Sequence, residues 1–137
     1  MKLSQHHPVR SATLALAALI LIRTVPMASA AAADYRIELA GKPQLASGKS
    51  VVPVRIVHLP DNQPVTDAVV FEMKADMGPS GMPTMTAPIK LLSGGQPGTY
   101  HLEVDPAMTG TWAITLGAKI QGERDTVRGT VNADLVK

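Results

Sequence analysis

The sequence predicts an all-β protein: an immunoglobulin-like two-sheet antiparallel β-sandwich of about seven strands, preceded by a cleaved signal peptide. Three observations predict it. Apolar and polar residues alternate with period two in one short segment after another, the pattern of strands with one buried face. Turn segments rich in Gly, Pro, Asn and Asp separate these runs at short spacing. No segment carries a helical repeat of useful length.

The leader comes first. Lys2 and Arg10 precede an apolar run from Leu14 to Ile22, and the small-residue segment "MASA" follows, which is the order of a secretory signal peptide. Ala28 and Ala30 suit signal peptidase with a cut after Ala30, and the "AAA" that follows also admits one after Ala32 or Ala33. The rival reading is a retained anchor, favoured by the awkward Arg23 just ahead of the cut. Against it, the uninterrupted apolar stretch from Ser11 to Ile22 is only twelve residues, where a spanning helix needs ~20. The chain has no cysteine, so it can have neither a lipid-modified cysteine nor a disulfide, and the core must hold the fold alone. Residues 1–30 are thus assigned to the signal and 31–137 to one sandwich domain in the periplasm or outside the cell.

Removing the leader changes the charge. Of 13 Lys and Arg, three (Lys2, Arg10, Arg23) leave with it, so ten remain against 11 Asp and Glu, a net charge of −1. With one Trp, two Tyr and one Phe, there is neither a basic surface nor a stacking platform for nucleic acid, nor a basis for inserting into a membrane after cleavage.

In the first strand, "YRIELA", the inward set is Tyr35, Ile37 and Leu39. In "VVPVRIVHL" it is Val52, Val54 and Ile56, with His58 in the same phase; Pro53 there suggests an edge strand or a strand start. "DAVVFEMK" gives Val69, Phe71 and Met73. "APIKLL" supplies a shorter strand. "TYHLEVD" turns Tyr100, Leu102 and Val104 inward and His101 outward, "TWAITLGAKI" buries Trp112, Ile114, Leu116 and Ala118, and "DTVRGTVN" buries Val127 and Val131. "GKPQLASGKS", "LPDNQPVTD", "GGQPG", "DPAMTG" and "QGERD" read as turns.

One stretch resists this pattern. "FEMKADMGPSGMPTM", Phe71 to Met85, holds four methionines among Gly78, Pro79, Gly81 and Pro83, and reads as a surface loop. Thioether sulfur is a soft donor suited to Cu(I) or Ag(I), and unlike a thiolate it resists oxidation in an oxidising compartment. Met82 and Met85 form an M-x-x-M pair, and Met77 lies across the Gly-Pro turn, so Met77, Met82 and Met85 are the candidate ligands. Met73, in phase with Phe71, is a core residue, and Met108 belongs to a turn at either end of the sandwich. The structural alternative for the loop is that adaptable methionines cap the open end of the core. His58 and His101 belong to no ligand-like spacing and read as surface residues.

Catalysis has little support. "GPSGM" places Ser80 among glycines but is not the G-x-S-x-G nucleophile turn, and no Ser, His and acid pattern accompanies it. Asp61 with Asn62, and Glu123 with Asp125, are pairs too small for a calcium cage.

The order "VTDAVVFEMKADM", a Met/Pro/Gly loop, "PGTYHLEVDPAMTGTWAITLGAKIQGE" and a final strand resembles the YtkA-like or FixH-like group of small exported β-sandwich proteins. The resemblance covers most of residues 50–132, and its strongest parts are "PGTYH" and "MTGTW". It implies the sandwich fold and an association with metal, since members often lie beside copper-handling and heavy-metal efflux systems. Two functions follow as expectations. One is a periplasmic, non-catalytic accessory that handles copper or silver through the methionine loop. The other is a metal-free interaction module for a membrane transporter or an efflux or oxidase-assembly component.

Overall fold

The computed structural model describes residues 32–137. The signal-peptide reading falls on residues outside that range. No helix among the described residues is long and apolar enough to cross a membrane.

Among the described residues, ten strands form two antiparallel sheets. In chain order they are β1 (Tyr35–Leu39), β2 (Gln44–Ala46), β3 (Lys49–His58), β4 (Gln63–Pro64), β5 (Val69–Met77), β6 (Met82–Ala87), β7 (Ile89–Leu91), β8 (Tyr100–Val104), β9 (Gly110–Lys119) and β10 (Val127–Leu135). One sheet has the order β1-β3-β8-β7, with β2 and β4 extending the pairing along β3; the other is β10-β9-β5-β6. Crossovers between β3 and β8 and between β5 and β9 make this an immunoglobulin-like sandwich: the seven segments read as strands hold β1, β3, β5, β7, β8, β9 and β10, and β2, β4 and β6 are additional.

The core lies between the sheets, where period-two alternation places it. Val52, Val54 and Ile56 of β3, Leu102 and Val104 of β8, and Trp112, Ile114, Leu116 and Ala118 of β9 are all fully buried. On β10 the inward set runs from Val127 through Val131 and Ala133 to Leu135. Gly129 falls in the same phase, and a Cβ there would come within 3.1 Å of Ile37, so its missing side chain lets β10 close against β1. The indole N–H of Trp112 donates to the Met108 carbonyl at 3.2 Å, which satisfies the one polar atom the ring carries inward.

Three expectations are corrected. Val69 and Phe71 point outward, 64% and 53% exposed, while Val70 is buried. A bulge is the cause: Val70 pairs with Ala118 and Glu72 with Gly117, which leaves Phe71 as an extra residue and resets the phase so that Met73 does pack on the core. Pro53 sits in the middle of a central strand rather than at an edge. Its carbonyl accepts from Ala40 N, so by antiparallel geometry its nitrogen faces the same loop, where β1 has ended and β2 has not begun. Finally, two segments read as turns contain β2 and β4.

Candidate functional site: the methionine hairpin

The methionine-rich stretch is a strand hairpin, and this corrects its reading as a surface loop. β5 runs to Met77, a single 3-10 turn spans Gly78–Ser80, and β6 begins at Met82. The Gly and Pro residues concentrate in the turn and the first positions of β6, an edge strand, where a proline costs no ladder bond. Met77 and Met82 are register partners, and the register shifts between Asp76 and Met77, because Asp76 pairs with Thr86. That irregularity lets both Met82 and Met85 lean on the core from the same edge strand.

Side chains lock the turn. Asp76 Oδ1 accepts from Gly78 N at 2.9 Å and Asp76 Oδ2 pairs with Lys74 Nζ at 3.0 Å. Lys74 first, and the Gly78 N–H second, hold the Asp76 carboxyl below its ordinary range. Gly81, at φ +80°, closes the turn by donating to the Gly78 carbonyl. Ser80 Oγ donates to the Thr111 carbonyl at 3.1 Å, which ties the hairpin tip to the start of β9 and commits that hydroxyl to a structural role.

The structure sorts the methionines by burial. Met77 is 2% exposed and belongs to the core. Met73, Met82 and Met85 are half-buried and packed against it. Met108, 44% exposed, lies in the turn before β9, at the same end of the sandwich as Met77. All three candidate ligands therefore share one hairpin, with Met77 behind and Met82 and Met85 nearer solvent. Both carboxylates of the hairpin are engaged, Asp76 by Lys74 and the Gly78 N–H and Glu72 by Arg128, so the donor side chains that the hairpin gathers against the core are thioethers.

Neither histidine joins them. Ser50 Oγ donates to the Val136 carbonyl, so the start of β3 lies beside the end of β10 and the start of β9, the methionine end. His58 is at the far end of β3, where its Nδ1 bonds Asp61 at 2.8 Å and its ring meets Tyr35 at 5.0 Å. The Tyr35 hydroxyl donates to Glu123, and burial first, then that carboxylate, pushes its pKa up to about 12. His101 lies on the outer face of β8, opposite Pro53. Among the described residues no three His, Cys, Asp or Glu side chains gather into a metal-binding group.

Sequence reasoning missed Asp76 and Ser80 as supports of the hairpin. The Asp-x-Gly spacing ahead of a Gly-Pro turn was the available signal for the first.

The YtkA-like family model matches residues 29–117, well over half of the 137-residue chain. The chain belongs to the YtkA-like family. The matched span runs from the start of the sandwich into β9 and contains the whole methionine hairpin, so the hairpin lies within the family's own domain. Among curated proteins none matches the sequence. A solved structure with a related outline is the ZirS C-terminal domain, 11% identical, with a TM-score of 0.41 over 97% of this chain and 86% of that one.

Proposed function

We propose that this YtkA-like protein is an exported, non-catalytic accessory that binds Cu(I) or Ag(I) as cargo through Met77, Met82 and Met85, in service of a membrane transporter or an efflux or oxidase-assembly component. The observation that carries the reading is the cross-strand pairing of Met77 with Met82, with Met85 following on the same edge strand. Directly opposed residues have Cβ atoms about 5 Å apart, within reach of two flexible thioethers sharing one ion. Soft sulfur donors without a free carboxylate select soft monovalent cations over zinc, calcium or magnesium. The non-catalytic part rests on the sequence, which offers no nucleophile with a base and an orienting acid.

Titration with Cu(I) under reducing conditions tests this, and one equivalent bound is the expected result. Export is tested separately: intact mass of periplasmic protein is expected to show a chain beginning between Ala31 and Asp34. Recovery only from membranes with the leader intact would mean an anchor.

The burial of Met77 favours a second reading. A methionine 2% exposed is already satisfied by packing, and on this view the three residues close the end of the core while the hairpin rim meets a protein partner. No Cu(I) binding in the titration selects this reading.

A further inference from the structure

The outer face of the β1-β3-β8-β7 sheet carries a cleft of about 460 Å³ whose lining includes Lys42, Gln44, Pro53, Gln96, Thr99 and His101. Its floor is the register pair Pro53 and His101. One wall is the Ala40–Pro43 connection, which opens β1 from β2 beside Pro53. The other is the "SGGQPG" segment: a Cβ on Gly95 would lie 2.9 Å from His101 Cδ2, and Gly95 has φ +127°, so only glycine lets this loop pack on the imidazole edge.

Charge distinguishes this place from the rest of the sheet. Glu103 takes both Lys49 and Lys90, at 3.0 and 3.2 Å, and Glu38 takes both Arg36 and Arg55. Among the described residues no ion pair or side-chain hydrogen bond engages Lys42 or His101, and no carboxylate lines the cleft. Lys42 also borders a second cleft containing Asp134, whose carboxylate accepts from Thr111 Oγ1 at 2.6 Å and makes no ion pair with Lys42. The cleft therefore concentrates donors, namely the Lys42 ammonium, the His101 ring, two glutamine amides and the Thr99 hydroxyl, with no carboxylate among its own lining residues. Its volume lies within the range of small-molecule sites.

We propose that this cleft binds a small carboxylate ligand, with Lys42 and His101 as the principal donors to the carboxylate oxygens. The site is on the opposite sheet from the methionine hairpin and does not depend on it.

The test is a titration of the isotopically labelled chain with succinate, read by amide chemical shifts. Saturable shifts at Gly95, Gln96, Thr99 and His101 are expected. Lys42→Ala and His101→Ala should each weaken binding about tenfold or more, as expected for loss of a charge-assisted hydrogen bond. Lys90→Ala, which removes an ion-paired lysine of the same sheet, should leave affinity unchanged. Spectra otherwise like wild type establish that each variant is folded. Absence of saturable shifts overturns the proposal, as does wild-type affinity in both cleft variants. Equal shifts with inorganic phosphate overturn the assignment to carboxylates.

Discussion

The terminal methyl of Met77 stands where a side chain on residue 110 would begin, since a Cβ added to Gly110 would lie 2.7 Å from Met77 Cε. The glycine at the start of β9 thus leaves room for the deepest methionine of the hairpin. Gly110→Ala should destabilise the protein by about 1–3 kcal/mol, partly through strain at φ +156° and partly through overpacking against Met77. In a Met77→Leu background the cost should shrink, because leucine lacks the methyl beyond sulfur. A double-mutant cycle in chemical denaturation measures that coupling, and equal costs in both backgrounds would show that the two residues do not compete for space.

Trp112 has no exposed surface and is the largest side chain of the core. Trp112→Ala should cost roughly 3–5 kcal/mol, a large share of a small domain's stability. Trp112→Phe keeps most of the apolar volume but strands the Met108 carbonyl, for an expected loss of about 1–3 kcal/mol. Urea midpoints of both variants check the order. A loss under about 1 kcal/mol for the alanine variant would be a surface-like result.

The strands that alternate without interruption were legible in advance. Trp112 through Ala118 and Tyr100 through Val104 needed only their period, because one face meets the core and the other water. What failed was local. The bulge at Phe71 reverses the phase of Val69 and Phe71, and nothing in "AVVFEMK" marks an inserted residue. The Gly-Pro turn suggested a loop, whereas one 3-10 turn held by Asp76 and Ser80 suffices to join two strands. The candidate methionines were therefore recognised as a group but misplaced as a loop, since burial of Met77 depends on Gly110, which is far along the chain.

The Tyr100 hydroxyl joins β8 to the segment before β5. It donates to the Val65 carbonyl at 2.9 Å and accepts from Ala68 N at 3.1 Å. Burial, above all, raises its pKa. Tyr100→Phe leaves both backbone groups without this partner, and should cost about 1–3 kcal/mol. Amide exchange at Ala68 should accelerate relative to the core of β9. Unchanged exchange there would show that the segment is held by other contacts.

Asp76 sets an acid limit. Its folded pKa lies below the unfolded value, so it contributes stability that is fully present above the unfolded pKa and is lost as pH falls through the folded one. The window therefore opens near pH 4 and extends downward. Asp76→Asn should melt lower than wild type at neutral pH and lose less than wild type does on acidification. Parallel acid limbs in the two proteins would assign the acid sensitivity to other carboxylates.

Substitutions at the methionines separate ligands from packing. If Met77, Met82 and Met85 hold Cu(I), replacing all three with leucine should abolish binding against a Cu(I) chelator while the fold survives, because such volume-conserving swaps cost under about 1.5 kcal/mol each. Alanine reads the packing instead. Met77→Ala, at a position 2% exposed, should cost about 2–5 kcal/mol, whereas Met82→Ala and Met85→Ala, half-buried on an edge strand, should cost less. Met73→Ala should lower stability and leave metal affinity nearly intact, since Met73 lies before the turn and outside the candidate ligand set. Competition and thermal melts run together on these variants decide the matter. Equal Cu(I) affinity in wild type and the triple leucine protein would reduce the hairpin to a cap on the core.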